Sequence, residues 1–86
     1  MSYKVNDKEE LIKIIKRCNE KCDFTEVENL NVSRLDDLSY VFYECNNLTK
    51  IDLSKWDVSN IKDMDFMFVG CEKLNIIDTL VFTIYS

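Results

Sequence analysis

Eighty-six residues make a single domain near the lower limit for a chain that builds its own core, and a 47% hydrophobic content is that of a folding sequence, not a disordered tail. Eleven basic against sixteen acidic side chains leave a net charge of −5, which argues against nucleic acid or an anionic membrane as direct partner, since both require positive patches. The absence of histidine removes the commonest general base and metal ligand, and one glycine with no proline excludes glycine-rich phosphate loops and linker-like designs.

The opening stretch MSYKVNDKEE has no apolar core of a signal peptide, and no run approaches membrane-spanning length, so a cytoplasmic location, in a bacterial host, is expected. Residues 7–21 carry the clearest helical pattern. Asn6 or Asp7 is placed to cap it, Glu9 and Glu10 lie in its first turn, and Lys13, Lys16, Arg17 and Lys21 follow, as the helix dipole favours. Its apolar residues Leu11, Ile14, Ile15 and Cys18 fall at i, i+3, i+4 and i+7, one helical face.

From Asn31 the chain states the same phrase twice. NVSRLDDLSYVFYECNNLTKID (31–52) and DVSNIKDMDFMFVGCEKLNIID (57–78) share eight identical positions at a constant offset of 26, among them Val32/Val58, Ser33/Ser59, Asp37/Asp63, Phe42/Phe68, Cys45/Cys71 and Leu48/Leu74. A fixed period of this size marks stacked repeats, each burying its apolar face on the next. The helical spacing recurs as Leu38, Val41, Phe42, Cys45 and as Met64, Met67, Phe68, Cys71, which predicts a short helix in each repeat, with Ser33 and Ser59 (or Asn60) as caps. Phe24, Ile51 and Ile77, each six residues past a cysteine, start predicted extended segments. The first step, from Cys18 to Cys45, is 27 and places one extra residue between Phe24 and Val27. The expected architecture is an α/β repeat: a short right-handed leucine-rich-repeat-like solenoid with an N-terminal capping helix and a small parallel sheet on one face. Residues 1–30 form the capping helix and first strand of this single domain, 31–56 the first repeat, and 57–86 the second repeat and terminal strand. Stacking then aligns Cys18, Cys45 and Cys71 in one column and Phe24, Ile51 and Ile77 in another.

The residues Trp56, Asp57, Val58, Ser59, Asn60, Asp63, Met64, Met67, Phe68 and Cys71 resemble the unit of the BspA-like leucine-rich repeat family. Leu30 to Ser33 and Val41-Phe42 match the same unit more loosely, and the resemblance covers about residues 4–80. It implies a repeat solenoid that binds other proteins, usually in long arrays on bacterial cell surfaces.

No constellation points to chemistry. Cys18-x3-Cys22 with Cys45 and Cys71 lacks the repeated close pairs of a structural zinc site, so no metal is expected. Asp36, Asp37, Asp63 and Asp65 lack a companion nucleophile or histidine and are placed at helix starts; no cofactor and no enzymatic activity are expected. Tyr40, Tyr43 and Phe66 lie off the inner face and suit a protein contact. The closing stretch from Asn75 is apolar and β-branched with no polar cap after it. Phe82 is expected to fold back, which leaves Val81, Ile84 and Tyr85 as edge positions for strand addition or a homodimer.

The function expected is therefore non-enzymatic protein binding. Its most specific form is a small intracellular inhibitor of a bacterial defence complex, of the anti-CRISPR type encoded by phages and mobile elements, with Asp36, Asp65 and Glu72 meeting the basic nucleic-acid-binding surface of a nuclease complex. The alternatives are a self-assembling structural repeat unit and a fragment of a bacterial surface-adhesion protein.

Overall fold

Asp7 starts the first helix through its side chain. In the computed structural model, which describes residues 3–77, its carboxylate accepts the backbone N–H of Glu10 at 2.9 Å, while Glu10 reaches back to accept the N–H of Asn6 at 2.8 Å. This reciprocal arrangement satisfies donors that a helix start leaves without partners. Helix α1 runs Lys8–Lys21, as the periodicity predicts, and buries Leu11, Ile14, Ile15 and Cys18. It ends at Cys22, whose left-handed backbone (φ 57°) lets the N–H groups of Cys22 and Asp23 close on the carbonyls of Asn19 and Cys18.

Four elements account for the regular structure: α1, the single-turn α2 (Thr25–Glu28), β1 (Lys50–Ile51) and β2 (Ile76–Ile77). The expected leucine-rich-repeat solenoid with a parallel sheet on one face is therefore corrected. The described chain is helix and coil, and its only strand ladder is the two-residue parallel pairing of Lys50 with Ile76 and Ile51 with Ile77. Isolated bridges at Lys4/Asn31 and Asp37/Asp63 add no further strand. The extended segment expected at Phe24 is also absent, because Thr25–Glu28 coils into α2; the Asp23 carboxylate holds the Thr25 N–H at 3.0 Å just before it.

The helices expected within the two repeats do not form either. Residues 38–45 and 64–71 are successive tight turns, with Val41, Tyr43 and Cys45 donating to the carbonyls three residues before them, and Val69 and Cys71 doing the same in the second repeat. In the first repeat the remaining N–H groups are committed elsewhere. Leu38, Tyr40, Phe42 and Glu44 donate to the carbonyls of Asp63, Asp65, Met67 and Val69 at 2.8–3.3 Å, and Lys62 returns a bond to Asp36. A helix would have to surrender these inter-repeat bonds, and a helix this short is marginal by itself. Tyr40 (φ 62°), Glu44 (φ 55°), Phe66 (φ 57°) and Gly70 (φ 82°) adopt the left-handed conformation, again at an offset of 26, and each reverses a chain that a right-handed helix would carry forward.

Ser33 and Ser59 are consequently not helix caps. Each donates its N–H to the side chain two residues earlier, Asn31 at 2.9 Å and Asp57 at 3.0 Å. The same closure recurs at Asp37 to Ser39, Asp52 to Ser54 and Asp63 to Asp65. Serine donors hold the carboxyls of Asp37, Asp52 and Asp57 below the ordinary aspartate range, with Lys8 adding to the effect at Asp37; at Asp23 the backbone N–H of Thr25 acts in the same direction. A carboxylate whose folded pKa is depressed stabilises the fold above its unfolded value, and that contribution is lost as pH falls through the folded value. The melting temperature is therefore expected to fall as the pH drops below about 4, and Asp57→Asn should shrink the decline. A decline of unchanged size in that variant would show that the turn carboxylate does not contribute to it.

The core is one cluster built mainly from α1, α2 and the first repeat, joined by Met67 of the second, with Val5, Leu11, Ile15, Cys18, Val27, Val32, Leu38, Phe42, Leu48 and Ile51 fully enclosed. Side chains also link successive layers: Trp56 Nε1 donates to the Val27 carbonyl at 3.0 Å, and Asn47 makes two bonds to Asn19. Burial fades toward the second repeat. Val32, Leu35, Leu38, Phe42, Cys45 and Leu48 are buried, whereas their counterparts Val58, Ile61, Met64, Phe68, Cys71 and Leu74 are only half-buried. Of the expected cysteine column, Cys18 and Cys45 are buried and Cys71 is half-buried.

Candidate protein-binding surface

The stacked turns decide which side chains leave the core. Leu38, Val41 and Phe42 turn inward, and the left-handed backbone at Tyr40 and Phe66 sends those two rings outward from equivalent positions of adjacent layers. The Tyr40 N–H on the Asp65 carbonyl, at 3.3 Å, fixes their register. The rings stack at a centroid distance of 5.4 Å with 26° between planes, and Tyr43 meets Tyr40 edge-on at 5.9 Å. Tyr40, Tyr43 and Phe66 remain 48%, 49% and 60% exposed, and Val69, one turn further on, is 41% exposed. A contiguous group of exposed aromatic rings on a hydrogen-bonded scaffold is the surface type that protein contacts favour.

Acidic residues flank this group along the chain. The turn segments 36–45 and 62–72 hold six acidic side chains and one basic one, Lys62. Asp37 is engaged by Lys8, whose ammonium lies 3.4 Å from its carboxylate and 2.8 Å from the Ser39 hydroxyl. Asp65 and Glu44 adjoin the rings in sequence and are exposed, and no ion pair involves either among the described residues. Of the residues singled out from sequence, Tyr40, Tyr43, Phe66 and Asp65 come together here. Asp36 and Glu72 are exposed at opposite ends of the same turns, Asp36 beside Lys62 through the backbone and Glu72 past Gly70. Val81, Ile84 and Tyr85, with the expected fold-back of Phe82, lie outside the described residues. Sequence reasoning missed Val69 and Glu44, which the Glu44 N–H to Val69 carbonyl bond (2.8 Å) places together. Their offset of 25, one short of the repeat period, hid the pairing.

Cys18, Cys45 and Cys71 serve packing, while Cys22 is exposed. Burial, followed by the neighbouring Cys71, pushes the Cys45 thiol up to about 12, and the Cys71 thiol donates to the Phe42 carbonyl at 3.0 Å. Among the described residues, no group of three His, Cys, Asp or Glu side chains is placed to hold a metal ion. No helix there is long and apolar enough to cross a membrane.

A family model described as "Mycoplasma protein of unknown function, DUF285" matches residues 9–82. No curated protein and no solved structure matches the chain.

Proposed function

The chain belongs to the DUF285 family, and on that premise we propose that it is a non-enzymatic module that binds another protein through Tyr40, Tyr43 and Phe66. The observation that carries this reading is the exposed three-ring cluster held on two hydrogen-bonded turns. The likeness of Trp56 to Cys71 to the unit of BspA-like repeat proteins supports the same class of role, since those proteins bind other proteins. An acidic surface suits a partner with a basic face. The narrower reading, a cytoplasmic inhibitor that covers the nucleic-acid-binding surface of a bacterial defence nuclease, draws on that acidity and on small size. Asp36, Asp65 and Glu72 are the charges it would use.

Site-specific photo-crosslinking tests the reading. A benzoylphenylalanine at Tyr43 or at Phe66 should give an adduct with a second protein when the full chain is made in bacterial cells. The same group at Lys16, exposed on α1, should not. Adducts from Lys16 alone would move the contact to the helix and end the proposal. Adducts only with a second copy of the chain would replace it with the self-assembling alternative.

A further inference from the structure

We infer that the aromatic cluster receives an arginine side chain from its partner, with a guanidinium lying on an outer ring face and the carboxylate of Asp65 or Glu44 accepting its N–H groups. The inference rests on the protein-binding reading above and specifies the chemistry that the site selects. Tyr40 and Phe66 spend one face each on their mutual stack, and all three rings keep about half of their surface in solvent. An exposed ring face with anionic neighbours attracts a cation through both its quadrupole and the local charge. The acid excess of the chain lies mainly in the repeat sequence: residues 31–86 hold nine acidic and five basic side chains, against seven and six in residues 1–30. Lys62 is the one basic side chain on the two turns, and the Lys8 ammonium is occupied with Asp37 and Ser39. The cluster therefore has carboxylates to spare and no internal cation that must be displaced.

Arginine fits better than lysine for geometric reasons. A guanidinium is planar, stacks on a ring and presents parallel N–H donors to a carboxylate in the same plane, and it is less strongly hydrated than an ammonium. A lysine ammonium is also drawn to a ring face, but it is more strongly hydrated and has no planar fork to stack on the ring and meet a carboxylate together. An uncharged planar urea group would satisfy the stack and leave the carboxylates unanswered.

The test uses the full chain and three blocked peptides that are identical except for three positions: arginine, lysine or citrulline. Ring and amide resonances are followed by NMR during titration. The arginine peptide should shift the signals of Tyr40, Tyr43 and Phe66 saturably and bind roughly three-fold or more tightly than the lysine peptide, with citrulline inert. Phe66→Ala changes an exposed side chain, so it should fold like the parent and lose roughly three-fold in affinity for the arginine peptide alone. Equal affinity for arginine and lysine, or shifts spread over acidic residues away from the rings, would overturn the inference as general charge attraction. No response to the arginine peptide, alongside a crosslinked partner at Tyr43 or Phe66, would overturn the arginine assignment and leave the binding surface standing.

Discussion

Phe42→Ala is expected to unfold the protein at ordinary temperature or to bring it to the edge of unfolding. The ring is fully enclosed, 5.1 Å from Phe68 in a near-parallel stack (13°) and 6.0 Å from Trp56 (22°), so it contacts an aromatic ring on two sides. Truncating a buried phenylalanine costs about 3–5 kcal/mol, because the removed atoms lose their transfer free energy and the packed walls close only in part. A chain of this size has a total stability on the order of 4–13 kcal/mol. The Phe42 N–H to Met67 carbonyl bond and the Cys71 thiol on the Phe42 carbonyl place the same residue at the joint between repeats, and alanine keeps both because they use the main chain, so the loss is that of the ring. Phe68→Ala should cost clearly less. Its ring occupies the equivalent position one layer further out and is only half-buried, so fewer contacts are lost and solvent reaches the gap. Thermal melts by circular dichroism separate the two variants. A Phe42→Ala protein that melts within a degree or two of the parent would remove that ring from the core. Equal losses at the two positions would contradict the burial gradient between the repeats.

That gradient shows how far the sequence could be read. The offset of 26 located the side-chain neighbours between repeats, Phe42 with Phe68 and Tyr40 with Phe66, and the pairings of Asp37 with Asp63 and Ile51 with Ile77, but not the hydrogen-bond ladder at 25 that joins Glu44 to Val69. Helix α1 was legible because cap, charge order and apolar face agree in one segment. The repeats were misread as helices because apolar periodicity reports which side chains face inward and is silent about where the backbone bonds go. Consecutive tight turns with left-handed residues deliver Leu38, Val41, Phe42 and Cys45 to the core at helix-like intervals, while alternate N–H groups point to the next layer. One clue was present: Gly70, the only glycine, stands inside the predicted helix 64–71. A second was the set of Asp-x-Ser triplets at 37, 52 and 57, which marks side-chain-closed turns, whereas Asp37 was read as part of a helix start and Ser59 as a helix cap. The exposed aromatic cluster was half-legible. Off-face aromatics flagged Tyr40, Tyr43 and Phe66, whereas Val69 and Glu44 depend on the turn geometry that the helical reading replaced.

Gly70→Ala should then be costly for a reason that its repeat-equivalent makes plain. Position 44 holds the same left-handed conformation with a glutamate, so a Cβ is tolerated there at a cost of roughly 1–2 kcal/mol. At position 70 a Cβ would come within 2.8 Å of the Glu44 Cγ, 3.1 Å of its Cα and 3.2 Å of its backbone nitrogen. The side-chain atom can swing aside; the backbone atoms cannot move without stretching the 2.8 Å bond from the Glu44 N–H to the Val69 carbonyl. Conformational strain and the displaced layer together should cost about 2–3 kcal/mol, an estimate that joins the left-handed penalty to one weakened inter-repeat hydrogen bond. The local signature is faster hydrogen exchange at the Glu44 amide than at the Leu38 amide, which donates at the far end of the same ladder. Glu44→Ala in the same background should recover only part of the loss, because it removes the Cγ contact, keeps the left-handed Cβ at position 44 and leaves the backbone contacts in place. Full recovery would assign the clash to the side chain, and a Gly70→Ala protein as stable as the parent would mean that the two turns do not approach this closely. Since Val69 and Phe66 are carried on the displaced turn, the variant should also lose the response of Tyr40 and Phe66 to the arginine peptide at temperatures where it is still folded. That loss would tie the arginine response to the spacing of the two layers as well as to the rings they carry.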